Sequence, residues 1–498
     1  MLAHAEDSEK GLKRTLGAGH LVALGIGAII GAGLFVRTAA AAGQAAGPAV
    51  TLSFVVAAIG CAFAGLCYAE FASMIPIAGS AYAYSYVTMG ELIAWIIGWA
   101  LIMEYALGAA TVSIAWSEYL NRLLGGAIPY EWCHSPFESF TGTDGILHSG
   151  IMNAPALVIL LLLTLLLIRG TQESAFVNVI IVFIKVAIVL IFIAVGWQFI
   201  KPENHTPYLI PEGTKPVMDS AGKVIADYSG WNKHGWGGVL GGAAIVFFAF
   251  IGFDAVSTAA QEAKNPKRDM PIGIMGSLVV CTILYILFGH VLTGVANWKD
   301  FVDPEKGREA SVAYAITTYM HGYGWLSTAV TVAILAGFSS VILVMLMGQS
   351  RIFYTMSNDG LIPKAFGVLH PKYKTPYKSN MILFVFVGAF AAFVPGHVAG
   401  DLTSFGTLFA FVLVSIGVWI LRVKSPNLER PFRTPFYPVV SALGALICLA
   451  MIVGLDLQTL KVAFIWMALG LVVYFGYSRS RSKLKSPGEI LPKASDFN

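Results

Sequence analysis

Apolar runs long enough to cross the hydrocarbon core of a bilayer, about 20 residues, recur along the whole chain. They fall at residues 18–37, 49–73, 91–119, 151–169, 175–199, 238–261, 271–296, 325–356, 379–396, 402–422, 436–455 and 460–478. Inside lipid every backbone N–H and C=O must find a partner within the protein, so runs of this kind fold as helices. The expected fold class is an all-α membrane protein with about twelve transmembrane helices. Composition agrees, because only 12% of residues are charged and the mean hydropathy is +0.73, whereas soluble domains carry about 25% charged residues.

An even number of spans puts both termini on one side. Lys and Arg cluster on that side, among them Lys13, Arg14, Lys264, Lys267, Arg268, Lys364, Lys372, Arg430, Arg433, Arg479, Arg481 and Lys483, which predicts cytoplasmic termini. The expected location is the plasma membrane. The organisation read from the runs is one transmembrane domain over 1–498. It has a tail at 1–17, a first five-helix unit at 18–199, an outer loop at 200–237, a second unit at 238–422, two extra helices at 436–478 and a tail at 479–498. The outer loop carries Pro202, Pro207 and Pro211 and reads as a cover without a fold of its own. The Tyr82-Ala83-Tyr84-Ser85-Tyr86 run reads as an aromatic belt at the membrane interface. Residues 1–14 are polar and the first run is too long for a signal core, so no cleavable leader is expected.

Two runs are interrupted. In Gly25-Ile26-Gly27-Ala28-Ile29-Ile30-Gly31-Ala32-Gly33-Leu34-Phe35, four of eleven positions are glycine, each costing a helix interior about 1 kcal/mol relative to alanine. Close packing through Gly27 and Gly31 is one use of such residues; a discontinuous helix that builds a binding site at mid-membrane is the other. The second interruption lies at Phe247-Phe248-Ala249-Phe250-Ile251-Gly252-Phe253-Asp254. If these first and sixth spans correspond, the repeat unit is five helices, and the second copy enters from the opposite face. Paired interruptions in two halves point to a midplane substrate site.

The half-helix that starts near Ala32 offers free N–H groups and a positive dipole end to a carboxylate. Carbonyls of Ile29 and Ile30, and of Phe247 to Phe250, are left open by the breaks and suit an ammonium. Anion and cation sites side by side describe the backbone of an α-amino acid, provided the two breaks meet. Three ionisable residues lie well inside spans, where such groups mark function. Asp254 follows the second break, either capping the new half-helix or charging the pocket. Glu104 sits in Leu101-Ile102-Met103-Glu104-Tyr105, as a pocket carboxylate or a structural hydrogen-bonding group. Lys185 sits at the middle of the fifth run, where an amine can gain or lose a proton near neutrality or serve as a fixed structural cation. Ser339 and Ser340 add hydroxyls in the eighth run, with helix packing as their alternative. Phe248 and Phe250 flank the second break beside Ile251, as gate or as plain packing.

Five cysteines show no CxxC and no metal spacing, and those within apolar runs read as small hydrophobes. No HExxH, phosphate loop or GxSxG occurs, so no metal, cofactor or nucleotide chemistry is expected and energy comes from a gradient or another solute. No nucleic-acid partner is indicated; an accessory membrane subunit stays open.

The motifs Gly25–Phe35, LIMEYALGAA from Leu101, FFAFIGFDAVSTAAQEAKNPKRDMPIGI from Phe247 and GQSRIFYTMSNDGLIP from Gly348 resemble the amino acid–polyamine–organocation transporter superfamily. Within it they look like the cationic amino acid transporter family, over nearly the whole chain. The resemblance implies a LeuT-type core of five-plus-five inverted helices with discontinuous first and sixth helices. It implies that Gly31, Ala32 and Gly33 receive the substrate carboxylate and that Phe248 gates the pocket. Glu104 and Asp254 would shape the side-chain pocket, and Lys185, with Ser339 and Ser340 nearby, would link transport to a proton. Two departures weaken a preference for basic substrates: Ala32 supplies no hydroxyl, and Arg37 places a cation just outside the break. The expected function is proton-coupled uptake of L-amino acids by alternating access, with arginine and lysine favoured. An exchanger of amino acids or polyamines, or a broad neutral permease, is the alternative; an enzyme is not expected.

Overall fold

The computed structural model describes residues 16–74, 80–141, 146–170, 175–219, 222–253, 256, 263–303, 311–373 and 375–483. Eight of its helices are long and apolar enough to cross a membrane, and four more are apolar but shorter. In chain order the helices used below are α1 (Ala18–Ile29), α2 (Thr38–Ala41), α3 (Val50–Met74), α4 (Ser80–Thr88), α5 (Glu91–Ile102), α6 (Gly108–Leu123), α7 (Ala154–Arg169) and α8 (Ala175–Gly196). The second half supplies α9 (Gly235–Val246), α10 (Pro266–Val295), α11 (Ser311–Tyr319), α12 (Gly324–Asn358), α13 (Tyr377–Phe393), α14 (Gly396–Lys424), α15 (Tyr437–Gly454) and α16 (Leu457–Val473).

Two segments outside the expected apolar runs are helical. After the first run the chain continues through α2 and a π turn at Ala42–Ala46, and reverses only at Gly47. Gly47 has φ of 61°, and a Cβ there would stand 2.8 Å from Ile210 Cγ1, so the turn needs glycine. The tyrosine run folds as α4, and Tyr82 and Tyr84 are wholly buried inside the protein. Tyr82 Oη donates to Asp359 at 2.7 Å, and Tyr84 stacks on Phe71 with ring centres 5.5 Å apart. Partners on other helices, Asp359 of the turn after α12 and Phe71 of α3, hold these rings inward, which a local aromatic pattern does not reveal.

The core is a helix bundle in which α10 lies against α1 and α3, α12 against α6, and α14 against α3, α5 and α15. Its outside is apolar: Phe183 on α8 and Ile465 and Val472 on α16 are at least 67% exposed, as a lipid-facing surface requires. At one end of the bundle, buried Glu70 on α3 accepts from Arg422 Nε and Nη2 (both 2.8 Å) and from the Thr434 N–H (2.8 Å). Arg430 Nε approaches the same carboxylate at 3.2 Å, so one acid ties the α14–α15 linker to the end of α3. The segment 200–237 holds a short antiparallel pair, Val217–Met218 with Val224–Ala226. Its buried Tyr228 donates to Gly43 O at 2.6 Å, fastening it over the π turn that follows α2.

Candidate functional site

Both interruptions exist. Helix α1 stops at Ile29, and Ile30 takes an extended backbone (φ −72°, ψ 106°). Helical geometry resumes with a π turn at Gly33–Arg37, where the Leu34 and Phe35 N–H groups donate to Gly31 O at 3.1 and 3.3 Å. Helix α9 tightens into a 3-10 turn at Phe247–Phe250 and ends at Ile251 (φ −59°, ψ 134°). Gly252 then turns at φ of 112°. Asp254 lies outside the described residues.

The breaks touch each other. A Cβ on Gly33 would stand 2.1 Å from Ala249 Cα, and one on Gly252 would stand 2.8 Å from Ala28 O. Only glycine lets the two main chains come this close. Tyr285 of α10 joins them directly: its buried hydroxyl lies 3.0 Å from Ile29 O and 2.9 Å from Ala249 O. One phenolic proton thus serves a carbonyl from each interrupted helix. Tyr285 carries no distinguishing signal in the sequence, since the run 271–296 also holds Ser277, Thr282, His290 and Thr293.

The amine of Lys185 reaches the same place from the side. Lys185 is 3% exposed and its Nζ donates to Gly27 O at 2.9 Å, just before the first break. Helix α12 passes its stem at Gly337, where a Cβ would meet Lys185 Cε at 2.8 Å. Ser339 and Ser340, one turn further along α12, are half-buried, and Ser339 Oγ donates to Leu335 O of its own helix at 2.9 Å.

Glu104 is wholly buried in a π turn, Met103–Leu107, between α5 and α6. That turn rests on α14 at Gly406, where a Cβ would stand 2.7 Å from Met103 Cβ and 3.1 Å from Glu104 N. π turns inside helices recur at functional sites, and this one presents a carboxyl where a plain helix would present an apolar face. Ile29, Ile30, Ala32, Phe248, Phe250 and Ile251 are all at most 3% exposed, so the breaks are closed to solvent.

One turn beyond the first break, Arg37 Nη2 donates to Asp401 Oδ1 of α14. Both residues are buried, at 2% and 7% exposure. The guanidinium also stands 5.9 Å from the centre of the Phe248 ring. Arg37 therefore carries a neutralised charge, and it links the first break, the second break and α14. Asp401 was the missed partner. Its signal was a lone acid at the start of an apolar run, matched by a lone arginine at the end of another.

The amino acid permease family matches residues 16–476. The chain belongs to that family. The permease is 43% identical to the branched-chain amino acid permease BcaP of Bacillus subtilis, over 97% of each chain. It is 41% identical to the methylthioribose transporter of the same organism, over 96% of each. It is 33% identical to the vacuolar cationic amino acid transporter 4 of Arabidopsis thaliana, over 84% of this permease and 65% of that protein. These likenesses make it a multi-pass membrane transporter of small molecules and not an enzyme.

Proposed function

We propose that this permease takes up L-amino acids across the plasma membrane by alternating access, with both termini cytoplasmic. The zwitterion is held between the interrupted helices of a five-plus-five inverted repeat. The observation that carries the reading is the direct contact of the two breaks at Gly33 and Ala249, bridged by Tyr285. The N–H groups of Gly31 to Gly33 are suited to the substrate carboxylate. The carbonyl of Ile30 is suited to the ammonium, since those of Ile29 and Ala249 already receive the Tyr285 hydroxyl and that of Phe248 accepts the Ile251 N–H at 3.3 Å.

Apolar side chains are the preferred cargo. Ile29, Ile30, Phe248, Phe250 and Ile251 surround the breaks; the Arg37 guanidinium close by is matched by Asp401, and the Lys185 amine is held on Gly27 O. The likeness to a branched-chain permease supports the same choice. A second reading, preference for arginine and lysine, is favoured by the buried carboxyl of Glu104 and by the likeness to cationic transporters. Proton coupling runs through Lys185: loss of its proton weakens the hold on Gly27 O beside the first break and loosens α8 from α1. Ser339 and Ser340 follow Gly337, the residue of α12 against the Lys185 stem, and would serve the same step.

Uptake of labelled leucine into proteoliposomes tests all of this. Unlabelled leucine should compete best, ahead of arginine, alanine and methylthioribose, and an inward proton gradient should drive accumulation that Lys185→Ala abolishes. Best competition by arginine, together with a selective arginine loss in Glu104→Gln, would establish the second reading. Uptake indifferent to pH gradient and to Lys185 would remove the coupling scheme.

A further inference from the structure

The motif Gly348–Pro363 ends beyond the transport site, where α12 finishes and the chain turns at Gly360 (φ 83°). A Cβ at Gly360 would stand 2.5 Å from Arg481 O, so the turn accepts the main chain of the C-terminal segment against it. That segment is tied down. The Lys483 N–H donates to Asp359 O at 3.2 Å. Tyr474 Oη donates to Glu91 at 2.9 Å, and Ser482 Oγ donates to the same carboxylate. The Arg481 guanidinium lies 4.4 Å from the centre of the Tyr477 ring, and its Nη1 donates to Tyr477 Oη at 3.0 Å. On the α12 side, Ser357 Oγ donates to Pro363 O at 3.0 Å and closes the intervening loop.

Between this strap and the end of α12 is an open cavity of 840 Å³ whose lining includes Lys364, Arg481, Lys483, Tyr477, Asn358 and Ser357 and, among the described residues, no carboxylate. Asp359, the acid closest in sequence, accepts from Tyr82 and is not part of the lining. Three cations from two distant segments thus share one concavity with no counter-charge among the described residues of its wall, which concentrates positive potential there.

We infer that this cavity binds a phosphate-type anion. Arg481 supplies a planar fork that matches phosphate oxygens, Lys364 and Lys483 supply point charges, and Asn358 adds an amide donor. The site belongs to neither break, and its occupant fastens the C-terminal strap to α12. An anionic lipid headgroup and a soluble phosphate present the same chemistry.

Thermal-shift titration of the purified full-length protein in neutral detergent tests this and separates the sources. The probes are phosphatidylglycerol, phosphatidylcholine and inorganic phosphate. The site variant is Lys364→Gln/Arg481→Gln/Lys483→Gln, and the control is Lys372→Gln/Lys378→Gln/Lys424→Gln, which removes three cations elsewhere. Lys364→Gln alone, outside the strap, serves if the triple variant does not fold. Phosphatidylglycerol should raise the unfolding midpoint of wild type and control, and apparent affinity should fall about fivefold for each site cation removed. A shift with inorganic phosphate alone assigns the site to a soluble ligand; a shift with phosphatidylglycerol alone assigns it to lipid. No shift with either, or equal losses in site and control variants, overturns the inference.

Discussion

Breaking the Arg37–Asp401 pair is the perturbation whose size follows most directly from the structure. Both residues are buried, at 2% and 7% exposure, so Asp401→Asn strands a guanidinium in a low-dielectric interior. Removing one partner of such a pair typically costs about 3–5 kcal/mol, and the Phe248 ring 5.9 Å away returns only about 0.5–2 kcal/mol as a cation–π contact. Arg37→Met/Asp401→Asn removes both charges, and exchange of a buried pair for neutral groups is often close to neutral. With each single variant losing about 3 kcal/mol and the double variant close to neutral, a double-mutant cycle should show a coupling of at least about 3 kcal/mol, at or above the upper end for contacting residues. If the pair holds the breaks closed, a net loss of about 3 kcal/mol in Asp401→Asn shifts the open population by roughly 150-fold. The assay is the rate at which a thiol placed by Ala32→Cys reacts with an impermeant reagent. The five native cysteines are buried and give a low background. Asp401→Asn should accelerate modification strongly and the double variant should restore slow modification. A coupling below about 0.5 kcal/mol, or unchanged reactivity in Asp401→Asn, would refute the reasoning.

Three other outcomes follow from single contacts. Tyr285→Phe keeps the ring and removes the proton shared by Ile29 O and Ala249 O; leaving buried carbonyls unmatched costs about 1–3 kcal/mol, so uptake and the unfolding midpoint should both fall. Gly33→Ala should abolish uptake while the protein still reaches the membrane, because its Cβ would stand 2.1 Å from main chain at Ala249; Gly25→Ala, which meets the Ser277 side chain, should be milder, and uptake by both variants is the check. His134 lies in the segment after α6: burial alone would lower its pKa, but the Glu118 carboxylate, 3.0 Å from Nε2, outweighs that and lifts it from 6.5 to about 9. The raised value means the His134–Glu118 contribution is full below pH 6.5 and is lost as pH rises through about 9, so the midpoint should drop over that interval in wild type and less in His134→Gln.

The helices and both interruptions were legible because their signals are local: run length, glycine clustering, and a charge where lipid admits none. The buried placement of Glu104 and Lys185 follows from the same logic, since a lone ionisable group in an apolar run must turn inward. What joins the breaks was not legible. Tyr285 looks like any interior tyrosine until α10 brings its hydroxyl to Ile29 O and Ala249 O, and Asp401 is 364 positions from Arg37. The tyrosines of α4 show the same limit in reverse. Their local pattern suits an interface, and their burial involves partners on other helices, Asp359 and Phe71.

The central claim is that main-chain groups at two touching breaks grip both charges of a zwitterion. Its most direct test is the affinity of the purified permease for L-leucine, compared with 3-methylbutylamine, which lacks the carboxylate, and 4-methylpentanoic acid, which lacks the ammonium. Hydrogen bonds to a charged group contribute about 1.5–3 kcal/mol each, so each analogue should bind at least about tenfold more weakly than leucine. An analogue that binds as tightly as leucine would contradict the account.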